Sequence, residues 1–159
     1  MAEESEVVES IGVHGRFRVQ AEEDGRIVWD TGYHKNQITN NGFLYGIINL
    51  VGTGLSGGSQ FGFLALGTGT VPASNATTLS GEVIKRQALT AATSSDSHTL
   101  HMTGTFASNN SFVTTQVNLS NIGVFPTSGL GSLYCGNTYT SQSCNTNQNV
   151  NVTYDLVWS

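Results

Sequence analysis

Two cysteines, Cys135 and Cys144, are the most nucleophilic groups of the chain, and they flank Gly-Asn-Thr-Tyr-Thr-Ser-Gln-Ser. Without a Cys-x-x-Cys pair or a histidine nearby in sequence, they lack the spacing of a four-ligand zinc site. Two readings stay open. The thiols close a short loop as a disulfide if their Cα atoms lie within about 7 Å, adding about 2–3 kcal/mol in the chain-entropy picture. Otherwise they stay reduced, as in a protein folded in cytosol. The histidines are His14, His34, His98 and His101. His98 and His101 are three apart in a predicted strand and so point to opposite faces, which argues against joint ligation and for surface histidines.

Gly67-Thr-Gly-Thr70 and Gly52-Thr-Gly-Leu-Ser-Gly-Gly58 carry no Lys-Ser/Thr ending and read as turns rather than phosphate cradles. Beyond the first third, the carboxylates are Glu82, Asp96 and Asp155 alone, too few for a convergent acid–base pair. The expectation is therefore no catalytic residue, no metal, no cofactor and no enzyme.

The elements that would carry these residues are mostly strands. Residues 11–20 alternate through Ile11, Val13, Phe17 and Val19, with Gly15 marking a possible bulge. Glu23-Asp24-Gly25 has turn chemistry, and residues 26–33 return as the partner strand of a hairpin. Asn40 or Asn41 caps the one predicted helix, 41–51, where Leu44, Ile47, Ile48 and Val51 recur at helical spacing. The apolar run 61–66 reads as a buried strand, and 82–90 as an extended edge segment. Strands are predicted at 98–106, at 112–125 with a bulge or loop near Ser120, at 129–140 and at 150–158, with Asn109-Asn110 as a turn. The last strand alternates without a break through Val150, Val152, Tyr154, Leu156 and Trp158.

Some eight short strands and one helix predict a mainly β protein, an antiparallel β-sandwich or jelly-roll-like fold. Residues 11–159 form a single domain in this reading, after an acidic, mobile tail over residues 1–10. The pattern nominates Phe17, Val19, Ile27, Trp29, Leu44, Ile47, Ile48, Phe63, Leu66, Val124, Val152, Tyr154 and Leu156 for the core.

The 159 residues carry a net charge of −5, with 11% charged, 38% hydrophobic and 9% aromatic, which places the chain among globular rather than disordered sequences. No apolar run reaches the roughly 18 residues of a helical membrane span, and the acidic opening does not read as a secretory signal. Six Lys+Arg against eleven Asp+Glu argue against a nucleic-acid partner. Seven of the acids fall within the first 24 residues, and after Arg86 only Asp96 and Asp155 are charged. Such a neutral C-terminal half fits either sheets whose faces meet other subunits or a plain polar surface.

The order of segments resembles a group of small virion structural proteins of tailed bacteriophages, found among head-decoration and tail- or neck-associated proteins. The resemblance rests on Gly15-Arg-Phe-Arg-Val, Asp24-Gly-Arg-Ile-Val and Tyr33-His-Lys-Asn-Gln-Ile-Thr-Asn-Asn-Gly42. It continues through Phe63-Leu-Ala-Leu-Gly-Thr-Gly-Thr-Val-Pro-Ala-Ser74, then Leu79 to Arg86 with Glu82 and Arg86 in place. Asn121-Ile-Gly-Val-Phe125, the return over Gly129–Leu133 and the closing Thr153-Tyr-Asp-Leu-Val-Trp complete it. Similar proteins often carry Glu where this chain has Asn121, so that position offers Arg86 no carboxylate. The cysteine-bearing segment 135–144, read as a hairpin, is peculiar to this sequence.

The resemblance implies a capsid decoration or cement protein, made in the host cytoplasm and located in the virion. It would be a homo-oligomer, with a trimer favoured, binding the major capsid protein or other virion proteins and neither nucleic acid nor membrane. The alternative is a tail, neck or fibre component contacting a host receptor or glycan through Tyr33, Tyr134, Tyr139 and Trp158.

Overall fold

The computed structural model describes residues 12–44, 61–83, 85–93, 98–129 and 131–158. The acidic segment 1–10, the core candidates Ile47 and Ile48, and Asp96 lie outside the described residues. Among the described residues, ten strands form two five-stranded antiparallel sheets packed as a β-sandwich. The first sheet has the order β2 (Arg26–Lys35), β1 (Val13–Glu23), β10 (Asn149–Trp158), β7 (Thr99–Phe106) and β6 (Thr90–Thr93). The second has the order β3 (Gln37–Ile38), β9 (Cys135–Cys144), β8 (Val117–Phe125), β4 (Phe63–Gly67) and β5 (Gln87–Ala88).

Alternation decides which side chains meet between the sheets. Phe17, Val19 and Ala21 of β1 and Val150, Val152, Tyr154 and Leu156 of β10 face inward. They meet Leu64, Leu66, Leu119, Ile122 and Val124 of the second sheet, and each of these twelve residues is at most 2% exposed. The rings of Phe17 and Tyr154 stack at 5.7 Å. The expected break in β8 is present as a register shift between Leu119 and Asn121, which keeps Leu119 and Ile122 on the core side despite their odd spacing.

The β1–β2 hairpin turns through Asp24 (φ 50°) and Gly25 (φ 75°), the two positive φ values of a tight hairpin turn. Ile27 does not join the core: it is 60% exposed. The pairing runs Ala21 with Trp29 but Glu22 with Ile27. The extra residue, Val28, therefore reverses the faces of Ile27 and Trp29. Trp29 stays half-buried against the core and donates its Nε1 hydrogen to the Ser143 carbonyl, 2.8 Å away.

Helical residues begin at Asn40, one place before the expected start, and are described to residue 44. The cap is neither Asn40 nor Asn41 but Thr39: its Oγ1 accepts the Gly42 N–H at 3.2 Å, and its carbonyl accepts the Phe43 N–H at 3.1 Å. Burial explains the preference. Thr39 is 1% exposed and also donates its hydroxyl to the Leu133 carbonyl at 2.6 Å, whereas Asn40 is exposed. Gly42 lies so close to residue 134 that a Cβ would stand 2.1 Å from the Tyr134 carbonyl oxygen. Leu44, expected in the core, is 52% exposed, because this turn presents its other side to the 133–134 segment.

Two measurements check this fold. Val152→Asp, a carboxylate between the sheets, is expected to abolish soluble protein, while Asn151→Asp on the outer face should cost no more than about 1 kcal/mol in chemical denaturation. Thr39→Ala should lower stability by about 1–2 kcal/mol in the same assay, and Thr39→Ser should retain most of it.

Candidate docking face

The two outer faces of the sandwich differ. Over β4 and the Asn121–Phe125 half of β8, the second sheet's outer face is covered by the chain's own 68–82 loop. Ala65, Phe125, Leu79 and Leu133 form a small apolar cluster there, joined by Phe63 and Ala76, which explains why the 61–66 run shows no polar alternation. Phe63 is thus half-buried in this second cluster rather than in the main core.

Polar groups lock the loop in place. Asn121, fully buried, donates through Nδ2 to the carbonyls of Thr70 at 3.2 Å and Ser80 at 2.9 Å. Ser120 donates to the Gly69 carbonyl at 2.9 Å, so the Gly67–Thr70 stretch is an anchored turn. Arg86 finds its carboxylate in Glu82, through Nε at 2.6 Å and Nη2 at 3.0 Å, and lies 3.5 Å above the Phe125 ring.

The first sheet's outer face is covered by no such loop among the described residues. The alternation that sends Phe17 and Val19 inward sends Arg16, Arg18 and Gln20 outward, and register supplies their neighbours. Lys35, Arg16, Asp155 and His101 form one row across four strands, and Tyr33, Arg18, Thr153 and Thr103 form the next. Asp155 accepts from Arg16 Nε at 2.9 Å, and its other oxygen lies 2.6 Å from His101 Nδ1. With the carboxylate accepting, that nitrogen carries the ring proton.

Arg18 and Asp30 make a two-pronged pair, and Gln20 and the Gly32 N–H also donate to Asp30, at 3.0 and 2.9 Å. The Arg18 hydrogen bonds hold the Asp30 carboxyl well below the usual range, against a smaller opposing effect of desolvation. Tyr33, half exposed, lies beneath both guanidinium groups, 4.7 Å from Arg16 and 5.8 Å from Arg18.

The ion pairs are layered. In Arg16–Asp155 the cation is 58% exposed and the anion 4%. In Arg18–Asp30 the values are 36% and 29%. At the Lys35–Arg16 end of this face the outward groups are therefore cationic and aromatic over the buried Asp155, while Arg18 shares its charge with Asp30 and Glu22 stands farther along β1.

Other residues singled out in the sequence have different places. Cys135 and Cys144 are free thiols at opposite ends of β9, paired with Val124 and Val117 of β8. At about 3.3 Å per residue of β8 this separates them by roughly 20 Å. There is no hairpin at 135–144, no disulfide can form between them, and the strand expected at 129–140 begins only at Cys135. Burial pushes both thiols up to about 11.

Of the four expected surface aromatics, Tyr134 and Tyr139 are buried in the core and Trp158 packs against it, leaving Tyr33. His34 is not a surface histidine either: it is half-buried, with its ring 5.7 Å from Phe17. The sequence points to His101 as a surface histidine but does not single out the outward grouping of Arg16, Arg18 and Lys35 beside it. The signal present was Arg-Phe-Arg-Val, which fixes the two arginines on one face, but their partners depend on strand order. Comparison with protein-family models, with curated proteins and with solved structures returns no match.

Native protein should react negligibly with a thiol reagent over minutes and release two thiols on unfolding, with the same intact mass before and after reductant. A mass lower by two hydrogens without reductant would mean that the cysteines pair.

Proposed function

We propose that this chain is a virion structural protein, a decoration subunit that binds an assembled phage head through protein–protein contacts. The observation that carries this reading is the inequality of the two outer faces. One is covered over β4 and the end of β8 by the chain's own loop, and the other presents Arg16, Arg18 and Tyr33 in a preset arrangement. Arginine and tyrosine are enriched at protein interfaces because each supplies a large contact area together with directional hydrogen bonds.

The order of sequence segments supports a virion setting in particular. A decoration subunit would act by mass action, since binding only the assembled shell stabilises that shell relative to its parts. Grouping as a trimer would multiply the contacts of each copy. The receptor- or glycan-binding alternative loses its main support with the burial of Tyr134 and Tyr139.

Cryo-electron microscopy of whole particles from the source encoding this chain is the test. Density for it spread over the shell, at lattice symmetry axes, is the expected result. Density confined to the neck or tail, or none on the particle, would contradict the proposal.

A further inference from the structure

We infer that the docking element is the outer face of the first sheet, and that it fits a carboxylate-bearing protein surface on the shell. This rests on the proposal that the chain docks on an assembled particle, and it adds which face docks and what chemistry receives it. The chain has six Lys and Arg residues in all. Arg86 is committed to Glu82 under the loop, and Lys85 reaches the Asn110 carbonyl at 2.5 Å. Arg26 stands at the hairpin turn. The remaining three, Arg16, Arg18 and Lys35, occupy two adjacent rows of one face, so half of the cations of an acidic protein are gathered there.

Asp155 does not cancel Arg16 at the surface, because it lies beneath Arg16 rather than beside it, whereas Arg18 is offset by the comparably exposed Asp30. Arg16 bonds Asp155 through Nε. A guanidinium has five N–H donors in a planar fork, so the group can hold its buried partner and accept a second carboxylate from outside. Tyr33 under the two guanidinium groups limits their rotation, which lowers the ordering cost of docking. The complement of such a surface is acidic and proteinaceous, with carboxylates spaced to meet Arg16 and Lys35.

The test uses the full chain and particles of its source stripped of it, with binding read by co-sedimentation. Lys35→Glu and, separately, Arg16→Gln are each expected to weaken binding at least tenfold and to flatten its dependence on salt. Asn75→Lys, in the loop over the opposite sheet, should bind as wild type does. Poly-L-glutamate should compete and poly-L-lysine should not. Circular dichroism and the thermal midpoint of each variant establish that it is folded.

If wild-type chain binds and both face variants bind equally well, this inference is wrong while the decoration proposal stands. If wild-type chain does not bind stripped particles, the decoration proposal itself fails. Tight binding of wild-type chain to duplex DNA, lost in Lys35→Glu, would replace the carboxylate surface with phosphate and overturn the inference.

Discussion

The pairing of β10 between β1 and β7 is the constraint on which the other features depend. It brings residues near the two ends of the described chain together, so that Phe17 lies opposite Tyr154 and Arg16 opposite Asp155. The same register sets His101 opposite Asp155 from the other side. One strand thus orders the core on its inner face and the charged row on its outer face. Because side chains alternate with a period of two, a slip of one residue would exchange these sets, turning Asp155 from beneath Arg16 into the apolar core and Leu156 out of it. The buried apolar set therefore protects the register of the polar one.

The second sheet shows the opposite use of an outer face. β4 and the Ile122–Phe125 end of β8 are apolar on both sides, and their outer side is covered by the 68–82 loop over Phe125 and Leu133. Arg86 and Asn121 secure that loop from two directions, one through Glu82 and the Phe125 ring, the other through backbone carbonyls. On the first sheet the polar groups are paired with one another, and no loop among the described residues covers them.

Much of the fold was legible in the sequence because it depends on local pattern. The closing strand showed unbroken alternation, the hairpin was marked by Asp24-Gly25, and the break near Ser120 followed from the changed parity between Leu119 and Ile122. What was not legible depends on contacts between distant segments. Ile27 alternates properly with Trp29 in sequence, and only the bulge at Val28 separates their faces. Thr39 displaces the two asparagines as cap because the 133–134 segment buries it. The cysteines lie on one extended strand, which their separation in sequence allowed but did not require. The row of Arg16, Asp155 and His101 joins residues 139 and 54 positions apart, and nothing local announces such a pairing.

The central proposal is that the outer face of the first sheet, not the loop-covered part of the second, meets the partner. Hydroxyl-radical footprinting of the chain free and bound to its particles tests this most directly, because it reports solvent access side chain by side chain. Tyr33 and His101 are expected to lose reactivity on binding while Val71, in the loop of the opposite face, keeps it. Protection of Val71 with Tyr33 and His101 unchanged would contradict the claim.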